Sequence, residues 1–150
     1  TSGGTESNNT AIRAALRANP DKKEIVTTAV EHSSILRLVQ QFEKEGYRIK
    51  LLRVDSDGKL ALEELCEALS DQTAVVSVMY ANNETGVIFP IEKIVPILKE
   101  KAVYFHVDAV QCAGKLRLNV NSRSSRRFSA TSSSCPTSRA LSALASSRKR

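Results

Sequence analysis

The sequence predicts an α/β domain in which helices cover a mostly parallel sheet. Short apolar segments alternate with amphipathic segments of helical length, as in chains built from βαβ units. Two of the apolar segments, Thr73–Met79 and Val103–Asp108, are typical of strands buried on both faces of a parallel sheet. No apolar run approaches the roughly 18 residues of a membrane span, so no membrane partner is expected.

The charge is concentrated at one end of the chain. The formal net charge is +6, but seven of the 22 Lys and Arg residues lie in Ser122–Arg150, which has no acidic residue. The preceding residues keep 15 basic against 16 acidic groups. A near-neutral body argues against nucleic-acid binding by the fold itself. We therefore expect a folded domain at 1–120 and a basic, Ser/Arg-rich tail at 121–150 that is disordered.

The first half of the chain predicts two helices and two strands. A Gly-bearing turn leads into a helix that places Ile12, Ala15 and Leu16 on one face. The next helix is capped by Ser33 or Ser34 and stops at Gly46. In order, we expect a helix at 6–17, a strand at 24–29, a helix from 33 or 34 to 46 and a strand at 47–54.

The second half continues the alternation. Asp55–Gly58 predicts a turn with a positive φ at Gly58, and it lacks the remaining ligands of a calcium loop. Cys66 is expected in the buried row of the helix that follows. Pro96 predicts either a kink in the last helix or a start later than Ile91. The elements expected are a helix at 61–69, a strand at 73–79, a helix at 91–101 and a strand at 103–108.

Polar residues lie where the predicted strands end, the edge at which open α/β sheets bind ligands. Asp108 can pair with a protonated ring nitrogen, or it can cap the next helix. Gly4 and Thr5, in a turn that feeds a helix, can hold a phosphate or serve as a helix cap. His32, at a strand-to-helix junction, can stack on a flat ring, move protons or be structural.

The three cysteines are odd in number and lack the spacing of metal ligands. This pattern predicts neither a disulfide framework nor a metal site, and it is typical of a reducing compartment, here the cytoplasm. Organellar targeting stays open as an alternative, because a leader would lie before Thr1.

Four segments resemble the cysteine desulfurases of the nitrogen-fixation type, in the class V aminotransferase family. These are Thr1–Asn9, Glu31–His32, Met79–Pro90 and His106–Lys115, in the family's order and at nearly its spacing. The resemblance covers residues 1–120. It implies a partial large domain of the fold-type I fold of transferases that depend on pyridoxal 5'-phosphate (PLP).

The resemblance also implies roles for individual residues. Gly4 and Thr5 match the pair that binds the cofactor phosphate, and His32 matches the histidine that stacks on the pyridine ring and assists proton transfer. Asn83 matches the amide beside the ring and the bound substrate. Asp108 matches the partner of the pyridinium nitrogen, and Gln111 matches the donor to the 3'-oxygen.

The activity implied is PLP-dependent removal of sulfur from L-cysteine, which gives L-alanine and an enzyme persulfide for iron–sulfur cluster assembly. The implied partners are L-cysteine, a sulfur acceptor or iron–sulfur scaffold protein, and a second copy of the chain. The alternatives are a selenocysteine lyase, or another enzyme of the same fold, and a non-catalytic remnant with a basic binding tail.

The sequence departs from the family after residue 121. The lysine that carries the cofactor should lie about 25 residues beyond Asp108, but residues 132–139 read Ser-Ser-Ser-Cys-Pro-Thr-Ser-Arg. The C-terminal region with the persulfide cysteine also has no counterpart here. We interpret the tail as a shift of reading frame near Ser122, and we expect the chain to be an inactive fragment.

Overall fold

The computed structural model describes residues 2–112 and, as a strand, Phe128–Thr131. Its four helices are α1 (Gly4–Arg17), α2 (Ser33–Lys44), α3 (Leu62–Ala68) and α4 (Ile91–Glu100). Its five strands are β1 (Glu24–Thr28), β2 (Arg48–Leu52), β3 (Thr73–Met79), β4 (Tyr104–Asp108) and β5 (Phe128–Thr131).

The strands form one sheet in the order β2-β1-β3-β4-β5, and every neighbouring pair is parallel. This confirms the predicted α/β class and the parallel sheet. Every residue of β1 and β3 is buried, as expected for central strands with helices on both faces.

Two apolar cores lie on opposite faces of the sheet. One core joins α1 and α2 to the sheet through Ile12, Ile35 and Phe42. The other joins α3 and α4 to it through Leu65 and Ile94. Since the helices that follow β1 and β3 pack on opposite faces, the chain leaves a crevice between the carboxyl ends of these two strands. Ligands of open α/β sheets bind in such crevices.

Several local predictions need correction. α1 begins at Gly4 rather than residue 6, which places the predicted phosphate-binding pair in its first turn. His32, not Ser33 or Ser34, is the N-cap of α2. α4 begins at Ile91, and Pro96 lies inside it on the exposed side, where the carbonyl that loses its partner can bond water.

The two cysteines among the described residues lie in different environments. Cys66, expected in the core, is exposed. Leu65 is the buried residue of α3, and the next position faces away from the core. Cys112 is completely buried.

Part of the predicted tail has a regular structure. β5 pairs with β4 over four residues, although no strand was expected beyond residue 108. The rest of the tail and its boundary with the domain lie outside the described residues.

No helix among the residues that the structure describes is long and apolar enough to cross a membrane.

Candidate active site at the carboxyl edge of the sheet

A cavity of about 220 Å³ opens at the carboxyl edge of the sheet, over the ends of β3 and β4. It brings together all six residues singled out in the sequence and five others. The lining residues are Gly4, Thr5, Asn8, His32, Ser34, Met79, Ala81, Asn83, Asp108, Val110 and Gln111.

The start of α1 supplies one wall of the cavity. Gly3 is its N-cap in an extended conformation, so Gly4 and Thr5 form the first helical residues. The first N–H groups of a helix have no partner within it, and the helix dipole places positive potential there. The wall therefore offers backbone donors and the Thr5 hydroxyl to an anion.

Asp108 ends β4 at the floor of the cavity and is only 8% exposed. One carboxylate oxygen, Oδ1, accepts the backbone N–H of Val110 at 3.0 Å. The other, Oδ2, accepts the Asn8 side-chain amide at 2.8 Å. The carboxylate thus fixes the turn after β4, as a capping residue would, and also lines the cavity.

His32 also lines the cavity, where β1 passes into α2. Its Nδ1 accepts the backbone N–H of Ser34 at 3.2 Å, which caps the helix. The Ser34 hydroxyl lies 2.9 Å from the same nitrogen. These contacts hold the ring at the mouth of the cavity.

The two neighbouring asparagines in the loop after β3 have different roles. Asn82 builds the loop, since its Oδ1 accepts the N–H groups of Glu84 and Thr85, and its Nδ2 donates to the Val30 carbonyl. Gly86 has the positive φ of 73° that closes the turn. Asn83 is left to line the cavity.

Glu31 lies beneath this region as a buried acid. Its Oε1 accepts the Thr28 hydroxyl at 2.7 Å and the backbone N–H of Met79 at 2.8 Å. Among the described residues, Oε2 finds no hydrogen-bond partner. Burial, with a smaller contribution from the negative Asp108, raises the pKa of Glu31 to about 8. A neutral Glu31 therefore ties the end of β1 to the end of β3.

His106 lies two residues before Asp108 on β4 and is also buried. Its Nδ1 is 2.9 Å from the Ser77 hydroxyl. Burial lowers its pKa to about 4, while Asp108 acts in the opposite direction. The imidazole is therefore neutral near pH 7.

Sequence reasoning missed Asn8 and Ser34. Asn8 is 1% exposed and belongs to the same helical face as Ile12, Ala15 and Leu16. Its spacing of four from Ile12 was the signal that could have marked it as a buried amide. Ser34 was predicted only as a possible cap of α2 and not as a residue of the cavity.

Residues 1–130 match the family model "Aminotransferase class-V". The chain belongs to this family. The match includes all four helices and the strands β3 and β4, so the cavity lies within the matched region. The resemblance stated from the sequence is confirmed.

Curated relatives in this family are cysteine desulfurases. The chain is 55% identical over 124 residues to the cysteine desulfurase 2 of Trichormus variabilis, covering 83% of this chain and 31% of the relative. It is 47% identical over 124 residues to the cysteine desulfurase NifS of Azotobacter vinelandii, again covering 83% of this chain and 31% of the relative. The family is PLP-dependent.

Solved structures agree with the relatives. A NifS-like protein superposes with a TM-score of 0.81 at 35% identity, over 89% of this chain and 37% of the other. A structure described as SspA in complex with cysteine superposes with a TM-score of 0.78 at 30% identity, over 87% and 38%. The chain thus spans about a third of the length of the proteins that it matches.

Proposed function

We propose that the cavity binds PLP and that the chain is the cofactor-binding portion of a cysteine desulfurase. The observation that carries this proposal is the convergence of Gly4, Thr5, His32, Asn83, Asp108 and Gln111, which are spread over more than 100 residues of sequence, on one cavity. When bound, PLP supplies an electron sink to an amino-acid substrate.

The phosphate of the cofactor would bind at the start of α1. Backbone N–H groups and the dipole of a 14-residue helix favour a dianion there, and the Thr5 hydroxyl adds a donor. Gly4 lets the backbone approach the phosphate closely because it has no side chain.

Asp108 would hold the pyridine nitrogen in its protonated form. It is a carboxylate at a nearly dry position, where an ion-paired hydrogen bond is stronger than in water. Its Oδ2 accepts from the Asn8 amide and its Oδ1 from the Val110 N–H, and these two bonds fix the orientation of the carboxylate. Asp108 is therefore a suitable acceptor for the N–H of a protonated nitrogen heterocycle.

The remaining polar residues would orient the ring and the substrate. His32, at the mouth, would lie against the pyridine ring and move protons at the reacting carbon. Stacking of flat rings contributes about 0.5–1.5 kcal/mol beyond burial, which orients a ring but does not retain it. Gln111 would donate to the 3'-oxygen, and Asn83 would contact the ring and substrate.

We propose L-cysteine as the substrate of the complete enzyme, in line with the names of the relatives and with the cysteine bound by the neighbour SspA. The persulfide product implies a sulfur acceptor or an iron–sulfur scaffold protein as partner, and the family implies a homodimer. Since residues 132–139 contain no lysine, we expect this chain to bind the cofactor without a covalent bond and without turnover.

Titration of the purified chain with PLP, followed by absorbance and by quenching of tyrosine fluorescence, tests the proposal. We expect saturable binding that Asp108→Asn weakens. Loss of an ion-paired hydrogen bond is worth about 1.5–3 kcal/mol, which is roughly 10- to 150-fold in the dissociation constant. Asp57→Asn is the matched control, because Asp57 is an exposed aspartate in a turn outside the cavity.

Borohydride reduction and peptide mapping complete the test. No single lysine should carry the pyridoxyl group in high yield. The proposal fails if the wild-type chain shows no saturable binding, or if Asp108→Asn and Asp57→Asn bind PLP equally well.

A further inference from the structure

We infer that Asn8 and Ser34 are positioning residues through which the Asp108 carboxylate determines the tautomer of His32. This inference deepens the proposed function, since the four side chains line the cavity proposed for PLP. Its structural basis is a chain of hydrogen bonds in which the direction of every donor can be worked out.

The chain starts at the Asp108 carboxylate, which can only accept hydrogen bonds. Its Oδ2 lies 2.8 Å from Asn8 Nδ2 in a buried contact. The amide nitrogen of Asn8, and not its oxygen, must therefore face Asp108. This requirement fixes the orientation of an amide whose two ends are otherwise alike in shape.

The same Asn8 nitrogen also faces Ser34. It lies 3.2 Å from Ser34 Oγ, so its second hydrogen is donated to the hydroxyl oxygen. The Ser34 hydroxyl accepts from Asn8 and keeps its own hydrogen for another acceptor. That acceptor is His32 Nδ1, at 2.9 Å.

The Ser34 backbone decides the direction of this last bond. Its N–H can only donate, and it points at the same His32 Nδ1 at 3.2 Å. Nδ1 therefore carries a lone pair, and in the neutral ring the proton resides on Nε2. His32 thus offers an N–H donor from Nε2, while its acceptor nitrogen is turned toward the protein.

The network makes the tautomer of His32 depend on the charge of Asp108. With an amide at position 108, the Asn8 side chain can rotate and present its oxygen to Ser34. The Ser34 hydroxyl would then donate to Asn8 and cease to donate to His32. If the backbone N–H of Ser34 acted alone as a helix cap, neither Asp108 nor the Ser34 hydroxyl would affect the tautomer.

Nitrogen-15 NMR of the histidine side chains tests this without any cofactor. The chain has two histidines, so labelling of histidine gives two ring systems, and His32→Asn identifies that of His32. Spectra at about pH 9, well above the ordinary imidazole pKa, report which nitrogen carries the proton. The variants are Ser34→Ala and Asp108→Asn, in the full 150-residue chain.

Two further variants control the comparison. Ser33→Ala removes the neighbouring hydroxyl, which is exposed and does not line the cavity. Ser34→Thr keeps a hydroxyl at position 34 and should restore the wild-type ratio. Alanine is a strong helix former, so Ser34→Ala tests the hydroxyl without breaking α2.

We expect the Nε2–H form of His32 to exceed the Nδ1–H form by at least about tenfold in the wild type and in Ser33→Ala, equal to about 1.4 kcal/mol. Ser34→Ala and Asp108→Asn should each reduce this ratio by about three- to tenfold, the effect of one lost hydrogen bond. The His106 signals should stay unchanged in Ser34→Ala.

A predominant Nδ1–H form in the wild type would overturn the inference. So would a ratio that is equal in Ser33→Ala, Ser34→Ala and Asp108→Asn, because His32 would then be a helix cap alone. Since no cofactor is added, these results are independent of the PLP titration. The hydrogen-bond chain can fail while PLP binds, and PLP binding can fail while the chain of hydrogen bonds is confirmed.

Discussion

One glutamate is buried at each edge of the sheet, and the pKa values of the two are shifted in opposite directions. Glu24 begins β1 and Glu31 lies three residues after its end, and both are at most 5% exposed. The pKa of Glu24 is lowered although burial acts to raise it, because Lys50, Thr73 and Ser70 bind the carboxylate. The pKa of Glu31 is raised to about 8, chiefly by burial.

The amino edge is a satisfied network. Glu24 Oε1 accepts from the hydroxyls of Ser70 and Thr73, both at 2.8 Å, and lies 3.0 Å from Lys50 Nζ. Arg48 lies 3.8 Å from its Oε2. A buried charge with this many donors holds β1, β2 and β3 in register.

At the carboxyl edge, one oxygen of the buried Glu31 has no hydrogen-bond partner among the described residues, and a second acid lies nearby. Glu31 has two donors on one oxygen, and its neighbour Asp108 opposes its ionisation. Buried acids with a raised pKa and incomplete hydrogen bonding are found chiefly at functional sites. We therefore expect that removing the Glu31 carboxylate favours the folded state at high pH, whereas removing the Glu24 carboxylate destabilises it.

The largest effect should come from Glu31→Gln as pH rises. Because the pKa of Glu31 is about 8 in the folded state and 4.5 in its reference state, the folded protein binds more protons between these values. Wild-type stability should fall through that window, and Glu31→Gln should lack this loss. From about pH 5 to about pH 9, urea unfolding should show the difference change by about 3–5 kcal/mol in favour of the variant.

Glu63→Gln is the control for this comparison, since Glu63 is exposed on α3. If Glu31→Gln and Glu63→Gln show the same dependence on pH, Glu31 is ionised in the folded protein and the contrast between the edges is wrong.

A smaller loss is expected when Glu24 is removed. Glu24→Ala leaves the completely buried Thr73 hydroxyl without its acceptor and Lys50 without its carboxylate, although Lys50 still donates to the Ala68 carbonyl. Hydrogen bonds to charged groups suggest a loss of about 2–3 kcal/mol in the free energy of unfolding at neutral pH.

Glu24→Gln sharpens this result, because it keeps an acceptor for the two hydroxyls and removes the ion pair. It should lose less than Glu24→Ala in the same denaturant titration. Equal losses would mean that the hydroxyl contacts contribute nothing. A Glu24→Ala variant as stable as the wild type would show that this network does not stabilise the amino edge.

The smallest effect should come from an ion pair that belongs to neither edge. Asp57 and Lys59 are 3.0 Å apart, but their side chains are 68% and 69% exposed. Exposed pairs contribute little, so Asp57→Asn should change the free energy of unfolding by no more than about 0.5 kcal/mol. A change above about 1 kcal/mol in thermal or urea unfolding would show that exposure does not distinguish this pair from Glu24.

Much of this architecture was predictable, because it follows local patterns. β3 occupies Thr73–Met79 as predicted, since an uninterrupted apolar and β-branched segment has one stable use in a parallel sheet. The residues at the strand ends gather on one cavity because parallel strands share a carboxyl edge. Their roles toward a cofactor stay predictions.

What escaped prediction depends on contacts between distant elements. The burial of Glu31 and the Asn8–Asp108 bond arise from the packing of α1 and β3 against neighbours far along the chain. Helix α4 begins at Ile91, as in the predicted range, and only the alternative of a later start was wrong, because Pro96 faces outward. Propensity and periodicity describe neighbours in sequence, and these features are set by neighbours in space.

The bond between Asn8 and Asp108 also bears on how the protein folds, since it joins residues 100 positions apart. Helix α1 therefore makes its buried polar contact with a strand that leaves the ribosome long afterwards. At synthesis rates of about 5–20 residues per second, α1 waits for several seconds before its partner exists. Contacts of such separation slow folding, because a long loop must close before they form. During that interval the Asn8 amide, which shares a face of α1 with Ile12 and Leu16, lacks its Asp108 acceptor.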